Sequence, residues 1–222
     1  MPSPGAARAE RLAFLREQTS PAPVPLVPEL TLFTAGELTP LWHATAADLA
    51  GWDAAPFWAF PWAGGQALAR YVLDHASVVR GRRVLDFATG SGLVAIAAAR
   101  AGAARVTACD IDPFCDVAVE ANAALNGEVV ATRTGDLIGG PLADTDVVLA
   151  GDVFYERPLA ERSLAWFRTL VRGGARVLVG DPGRSYSPVE GVVERAAYAV
   201  PTLVAIEAAG VLRTRVLEVV AG

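Results

Sequence analysis

Four aspartates stand at or just after apolar runs, at positions where a carboxylate could bind a polar ligand. Asp86 precedes the glycine-bearing loop in DFATGSG. The other three end or follow later apolar runs: Asp110, Asp136 and Asp152. A carboxylate directly before such a loop would repel a pyrophosphate, but it suits the cationic amino group and the sulfonium of S-adenosylmethionine. The pattern therefore predicts a site for that cofactor rather than for a dinucleotide.

The loop after Asp86 carries small residues at its turn positions, Ala88, Gly90 and Gly92. Glycines let the backbone turn tightly and approach a ligand closely, and the helix that follows presents its main-chain N–H groups to negative charge. We expect this end of the helix to bind the carboxylate of the cofactor. A methyl group at Ala88 is tolerable if the residue keeps a negative φ, and it could narrow the pocket.

Two of the aspartates are placed to bind the adenosine part of the cofactor. Asp110 is predicted to accept hydrogen bonds from both ribose hydroxyls, with its neighbour Ile111 in the same site. Asp136, in the sequence TGDL, is predicted to accept from the adenine amino group. A solvated loop aspartate is the alternative for Asp136.

The fourth apolar run ends in AGDVFY, which places Asp152 three residues before Tyr155. Asp152 can accept a hydrogen bond from a target amine and orient its lone pair. Phe154 and Tyr155 are predicted to form the wall of a methyl-transfer channel, because aromatic faces tolerate a cationic amine or sulfonium. We therefore predict Asp152 and Tyr155 as catalytic residues and both aromatics as substrate contacts; a buried core aromatic is the alternative for Phe154.

Apolar runs and helical patterns alternate from residue 82 onward, which indicates a parallel sheet with helices on both faces. The predicted strands are 82–87, 105–110, 129–134, 146–151 and 175–180. The predicted helices are 91–101, 113–125 and 158–171, and Asp112 before Pro113 is predicted to cap the second of them. Two further strand-like runs, 201–207 and 212–220, are joined by a link too short for a crossover helix. We predict an α/β fold: a Rossmann-like, doubly wound, mostly parallel seven-strand sheet closed by a C-terminal antiparallel hairpin.

Residues 1–54 are predicted to be an N-terminal extension, and 55–222 the main domain. The extension combines an amphipathic helix over 6–18, an extended proline-rich strap over Pro21–Pro28, a short strand at Leu30–Phe33 and a brief helix over 45–49. A helix over 66–75 then leads into the sheet.

Composition excludes several function classes. The net charge of −5 offers no basic field for nucleic acid, and all 19 basic residues are arginine, so neither a Schiff-base nor a P-loop lysine exists. Cys109 and Cys115 are predicted to be buried thiols, and His43 and His75 lack neighbours at ligand spacing, so no metal is expected. We expect neither a signal peptide nor a membrane-spanning segment, because the first 18 residues mix acidic and basic side chains and no apolar run reaches membrane-spanning length. We expect a cytoplasmic monomer that binds neither membranes nor nucleic acid.

Two further segments carry a family resemblance. The sequence FWAFPWAGGQALARY over 57–71, together with GDPGR over 180–184, resembles family 16 S-adenosylmethionine-dependent methyltransferases. Within that family the chain is most similar to the electron transfer flavoprotein β-subunit lysine methyltransferases and their bacterial relatives. The resemblance implies S-adenosylmethionine as methyl donor and protein lysines, those of the flavoprotein β subunit, as acceptors. It also implies that Trp62, Gly65 and Gln66 line the cofactor pocket.

The GDPGR segment gives two more candidate residues. Asp181 and Arg184 are predicted to lie at the carboxyl edge of the sheet and to face the acceptor, although Asp-Pro-Gly is also good turn chemistry. Three other functions stay open: a small-amine N-methyltransferase acting on nicotinamide-like molecules, an NAD-dependent oxidoreductase, and a non-catalytic interaction module with the same fold. The aspartate before the loop and the C-terminal hairpin argue against the oxidoreductase.

Overall fold

A seven-stranded sheet forms the centre of the molecule. The computed structural model describes residues 4–36, 41, 55–207 and 209–221. Its strand order is β5-β4-β3-β6-β7-β9-β8, with β9 antiparallel to both of its neighbours and the other pairs parallel. The strands are β3 Arg83–Phe87, β4 Arg105–Asp110, β5 Ala131–Thr134, β6 Val147–Gly151, β7 Arg176–Asp181, β8 Val192–Pro201 and β9 Val211–Val219. The predicted fold class is confirmed.

The helices cover both faces of this sheet. They are α1 Pro4–Gln18, α2 Ala63–Asp74, α3 Leu93–Arg100, α4 Pro113–Leu125, α5 Arg157–Arg172 and α6 Val204–Glu207. Neighbouring strand residues point to opposite faces: Val84 packs in the cluster with α2 and α3, while Leu85 packs in the cluster with α5. Strands that are buried on both faces are apolar along most of their length. This is why they can be recognised in the sequence as continuous apolar runs. None of the helices in the described part of the chain is long and apolar enough to span a membrane.

The N-terminal residues form a helix and a two-stranded antiparallel sheet. Its strands are β1 Ser20–Val24 and β2 Val27–Thr34, so the prediction of an extended strap over Pro21–Pro28 is wrong, whereas the strand at Leu30–Phe33 is confirmed. Prolines are tolerated in this small sheet because its strands have free edges. Leu30 and Leu32 are fully buried in the cluster that contains α2 and α3. The helix predicted over 45–49 lies outside the described residues.

The C-terminal hairpin is built from a different segment than the sequence predicts. The strand beside β9 is β8, Val192–Pro201, and the predicted strand over 201–207 contains instead the short helix α6. Every second side chain in the latter half of β8 packs against the core: Ala196, Tyr198 and Val200. The exposed Glu194 and Arg195 near the start of the strand hide this alternation in the sequence. The connection between β8 and β9 therefore carries a helical turn, which brings Glu207 back toward the carboxyl ends of the strands.

Candidate active site

Asp86 ends the apolar part of β3 and holds the loop that follows. Its side chain is buried, and its Oδ2 accepts hydrogen bonds from Thr89 Oγ1 at 2.5 Å and from the main-chain N–H of Ala95 at 3.0 Å. Burial raises the pKa of Asp86 to about 7, and the nearby charge of Asp110 adds to the increase. A cationic group bound at this carboxylate would favour its ionised form.

The glycine-bearing loop has three residues in the left-handed region of φ. Gly90 has φ +51° and Gly92 has φ +82°, and Ala88 has φ +53°. Ala88 does not meet the condition of a negative φ, because the turn between β3 and α3 imposes a left-handed backbone that only glycine adopts without strain. A Cβ on Gly92 would also lie 3.0 Å from Val119 Cγ2.

Asp110 connects the end of β4 to this loop. Its Oδ2 accepts from the main-chain N–H of Gly90 at 3.0 Å, and its Oδ1 accepts from that of Asp112 at 3.1 Å. Ile111 beside it is 73% exposed. Asp112 caps α4 as predicted, accepting from the N–H of Phe114 at 2.8 Å. The half-buried Asp110 carboxylate and the exposed apolar side chain next to it can face one ligand together.

Asp136 follows β5 and is already paired. Arg162 Nη2 lies 2.7 Å from its Oδ2, and its Oδ1 accepts from the N–H of Ile138 at 2.9 Å. The Arg162 guanidinium holds the pKa of Asp136 below its usual value. An adenine amino group that donates to Asp136 would have to share a carboxylate oxygen with Arg162 or with the main-chain N–H of Ile138.

Asp152 lies at the carboxyl end of β6 and has a left-handed backbone, with φ +56°. Its Oδ2 accepts from the main-chain N–H of Gly65 at 3.1 Å, and its Oδ1 lies 2.6 Å from Arg184 Nη2 and 3.1 Å from Arg184 Nε. Burial raises the pKa of Asp152 to about 6, while the charge of Arg184 opposes that increase. A strained backbone and a buried carboxylate in one residue are typical of functional sites.

Glycines allow α2 to approach the strand ends closely. A Cβ on Gly64 would lie 2.3 Å from the carbonyl oxygen of Gly180 and 2.5 Å from Asp152 Oδ2. A Cβ on Gly151 would lie 2.9 Å from the main chain of Gly65. The motif WAGGQ therefore lets the first turn of α2 lie directly on the ends of β6 and β7.

A buried glutamate that the sequence analysis missed completes a cluster around Arg184. Arg184 Nη1 lies 2.8 Å from Glu207 Oε2, and its Nη2 lies 3.0 Å from Glu207 Oε1. The guanidinium carbon also lies over the Trp62 ring, 5.8 Å from the ring centroid. Glu207 belongs to α6, in the segment predicted as a strand, so no pattern in the sequence indicates its place.

Asp181, at the end of β7, holds the GDPGR loop instead of facing open space. It is fully buried and accepts from the main-chain N–H groups of Gly183 and Arg184, from Ser187 Oγ at 2.7 Å and from Arg215 Nη2 at 3.1 Å. Through these contacts Asp181 fixes the position of the backbone from which Arg184 reaches Asp152.

Aromatic side chains lie beside the Asp152 cluster. Tyr155 is 41% exposed and its ring centroid lies 5.7 Å from that of Phe57, which in turn lies 5.7 Å from that of Trp62. Trp62 Nε1 donates to the carbonyl oxygen of Phe57 at 2.9 Å. Phe154 is 1% exposed and packs in the cluster under α5, so the structure places it in the core and not on a channel wall.

Gln66 joins the N-terminal hairpin to the main sheet. It is 1% exposed; its Oε1 accepts from the N–H of Leu26 at 3.1 Å, and its Nε2 donates to the carbonyl oxygens of Pro61 and Pro201. Both polar atoms of the Gln66 side chain therefore form hydrogen bonds with segments other than the glycine-bearing loop. The structure assigns Gln66 a contact between α2, the turn that joins β1 to β2, and β8.

The donor set at the ends of β3 and β4 fits S-adenosylmethionine. The buried Asp86 suits a cationic amino group, the left-handed loop leads into a helix N-terminus that suits a carboxylate, and Asp110 suits ribose hydroxyls. Within the described residues no group of three or more histidine, cysteine or acidic side chains could hold a metal ion. Cys109 and Cys115 are buried free thiols, as predicted, and His43 lies outside the described residues.

Comparisons with known proteins agree with this fit. The family model for ribosomal protein L11 methyltransferase (PrmA) matches residues 66–151. The mouse electron transfer flavoprotein β-subunit lysine methyltransferase is 39% identical over 176 residues, which cover 78% of this chain and 68% of the relative. A homologue from Caenorhabditis elegans is 31% identical over 175 residues, with 72% and 71% covered.

The fold of this chain is also similar to that of a solved methyltransferase structure. The magnesium protoporphyrin IX methyltransferase of Synechocystis, solved with bound S-adenosylmethionine, superposes with a TM-score of 0.52 at 21% identity and covers 71% of this chain and 78% of its own. At that identity the likeness concerns the fold alone.

Proposed function

Because this chain belongs to the electron transfer flavoprotein β-subunit lysine methyltransferase family, we propose that it methylates lysine side chains of that flavoprotein subunit. It is an S-adenosylmethionine-dependent methyltransferase. The observation that carries the proposal is the position of Asp152: a buried carboxylate at a strand end, beside the Trp62, Phe57 and Tyr155 rings. This site offers a hydrogen-bond acceptor and aromatic faces to an incoming amine.

The cofactor is held, in this proposal, by residues at the ends of β3 and β4. Asp86 binds its amino group, the loop through Gly90 and Gly92 binds its carboxylate, and Asp110 binds its ribose. When bound, S-adenosylmethionine supplies an electrophilic methyl group on a positively charged sulfur. The chain's own contribution is to hold the acceptor nitrogen in line with that group and to exclude water.

The acceptor amine must have lost its proton when it attacks the methyl group. A free lysine has a pKa of about 10.4, so at pH 7.5 only about one in a thousand is neutral, and restoring the neutral form costs about 4 kcal/mol. Enclosure among Phe57, Trp62 and Tyr155 lowers this cost because a low-polarity environment disfavours the ammonium. Asp152 accepts a hydrogen bond from the nitrogen and orients its lone pair.

Location, assembly and the N-terminal residues are further parts of the proposal. We propose that the chain acts as a cytoplasmic monomer without nucleic-acid partners; its net charge of −5 supports the absence of nucleic-acid partners. We also propose that residues 1–54 form an extension that shapes recognition of the protein substrate. The burial of Leu30 and Leu32 against α2 and α3 supports a fixed position for the hairpin.

A transfer assay separates this function from the small-amine alternative. The purified chain is incubated with methyl-labelled S-adenosylmethionine and, in parallel, with electron transfer flavoprotein, nicotinamide or n-butylamine. We expect label in the flavoprotein β subunit and none in the small amines. Label only in a small amine would replace the proposed substrate with that class, and label in neither acceptor would contradict the proposal.

A further inference from the structure

The Arg184 guanidinium lies between two carboxylates, one of which belongs to Asp152, the residue proposed to orient the target amine. The guanidinium contacts the Asp152 and Glu207 carboxylates within 3.1 Å and lies over the Trp62 ring. The side chains of Asp152 and Glu207 are only 11% and 4% exposed. Two carboxylates this deeply buried and this close together are unfavourable without a positive charge between them.

The pocket around the guanidinium has the features that recognise an alkylammonium group. An ammonium donates three hydrogen bonds and has no acceptor, so two facing carboxylates match it. An aromatic face within about 6 Å attracts such a cation further. Asp152 is also the residue proposed to orient the target amine, so one carboxylate would have to serve both the internal guanidinium and the incoming lysine.

We propose that Asp152, Glu207 and Trp62 form the binding site for the ammonium group of the target lysine, and that Arg184 occupies this site in the substrate-free enzyme. The inference rests on the proposed function, because it identifies where the lysine binds. The target lysine displaces the guanidinium, which moves away by rotation of the Arg184 side chain while Asp181 holds the loop backbone in place. Glu207 is then a specificity-determining residue that helps select a cationic side chain.

Displacement has a chemical consequence for Asp152. The positive charge of Arg184 opposes the rise in the pKa of this buried carboxyl. Once the guanidinium leaves, Asp152 becomes a stronger hydrogen-bond acceptor for the amine that replaces it. The ammonium releases its proton to solvent, the nitrogen lone pair forms the new N–C bond, and the C–S bond breaks with its electron pair left on sulfur.

An Arg184→Lys variant tests the proposal without any protein substrate. The chain contains no lysine, and the Nζ atom of a lysine reaches the depth of the guanidinium carbon of an arginine. The introduced amine should therefore lie between the two carboxylates and accept a methyl group from the chain's own cofactor. We expect methyl-lysine at position 184 in peptide mass spectra, formed at a rate independent of protein concentration. The matched control is Arg213→Lys, whose arginine pairs with Glu194 on the surface; it should stay unmethylated.

A second arm measures the cation site without cofactor. In an Arg184→Ala variant, n-butylammonium should bind at least tenfold more tightly than to the wild type, measured by calorimetry, and n-butanol should not gain affinity. Adding Glu207→Gln should remove most of that gain. An Arg184→Lys variant that binds S-adenosylmethionine but acquires no methyl-lysine, or an Arg184→Ala variant that gains no affinity for n-butylammonium, would overturn the proposal. Neither arm uses the flavoprotein, so a wrong substrate assignment leaves both results interpretable.

Discussion

The main-chain N–H of Gly65 donates a hydrogen bond to Oδ2 of Asp152 across 3.1 Å, although 87 residues separate them in sequence. This contact fixes the first turn of α2 to the end of β6 and leaves Oδ1 of Asp152 for a cation. It requires the backbone of α2 to approach two strand ends, which explains why the WAGGQ motif and the DVFY motif occur in the same chain.

The close approach of α2 to the strand ends predicts that alanine is tolerated at Gly65 but not at Gly64. Gly64→Ala would place a Cβ 2.3 Å from the carbonyl oxygen of Gly180, so we expect the free energy of unfolding to fall by about 2–3 kcal/mol and transfer activity to be lost. Gly65→Ala meets no atom nearer than 4.0 Å, and helix propensity favours alanine by up to about 1 kcal/mol. Urea denaturation of both variants measures the difference. Equal stability of the two variants would contradict the packing described here.

The buried carboxyl of Asp86 predicts a stability that depends on pH. Its pKa of about 7 in the folded chain exceeds the unfolded value of about 3.9, so the folded state binds the proton more tightly. The contribution of this group to the free energy of unfolding is therefore fully present below pH 4 and is lost as pH rises from 4 to 7. The loss is on the order of 4 kcal/mol at 1.36 kcal/mol per pH unit.

Asp86→Asn isolates this contribution, because an amide oxygen can still accept from Thr89 and Ala95. The wild type should lose stability relative to Asp86→Asn between pH 4 and pH 7 in denaturation curves taken at each pH. Parallel curves for the two proteins across this range would show that Asp86 does not titrate there.

The left-handed backbone of Ala88 predicts that glycine is the better residue at this position. Alanine costs about 1–2 kcal/mol in the left-handed region, and the larger entropy of glycine in the unfolded chain offsets part of that. We expect Ala88→Gly to raise the free energy of unfolding by roughly 0.5–1 kcal/mol. Ala99→Gly inside α3 is the control and should lower it by about 1 kcal/mol. A loss of stability in both variants would argue against the observed φ of +53°.

Asp110 and Asp136 are predicted to differ in their importance for cofactor binding. Asp110 accepts hydrogen bonds from the main-chain N–H groups of Gly90 and Asp112 and is not paired with an arginine in the described residues, whereas Arg162 already pairs with Asp136. We expect Asp110→Asn to weaken S-adenosylmethionine binding at least about tenfold, as for loss of a hydrogen bond to a charged group. Asp136→Asn should weaken it less than about threefold on the same scale. Calorimetric titration measures both, and an equal loss would show that Asp136 binds the adenine despite its pairing.

Local patterns were sufficient to predict the parallel strands of the sheet and part of the site. Strands buried on both faces are continuous apolar runs, and Asp112 before Pro113 is a cap that depends on neighbouring residues alone. The direction in which a side chain points is harder to predict. Phe154 and Tyr155 are adjacent, and only the structure shows that Phe154 is buried in the core and that Tyr155 is exposed.

Contacts between distant segments were beyond prediction from sequence. Glu207 lies in an apolar segment that resembles a strand, and its role arises because α6 brings it to Arg184. Gln66 contacts Leu26 and Pro201 across three elements, and no local pattern reports such a contact. The positive φ of Ala88 is imposed by the loop, and alanine as a residue type gives no signal of that conformation.

The most direct test of the central claim is the mass of the flavoprotein β subunit after incubation with this chain and S-adenosylmethionine. We expect the subunit to gain a whole number of methyl groups, which peptide mapping places on lysine. Asp152→Asn should slow this gain at least about tenfold while cofactor binding is retained, as expected for loss of a hydrogen bond to a charged group. A β subunit of unchanged mass, with the chain folded and the cofactor bound, would contradict the central claim.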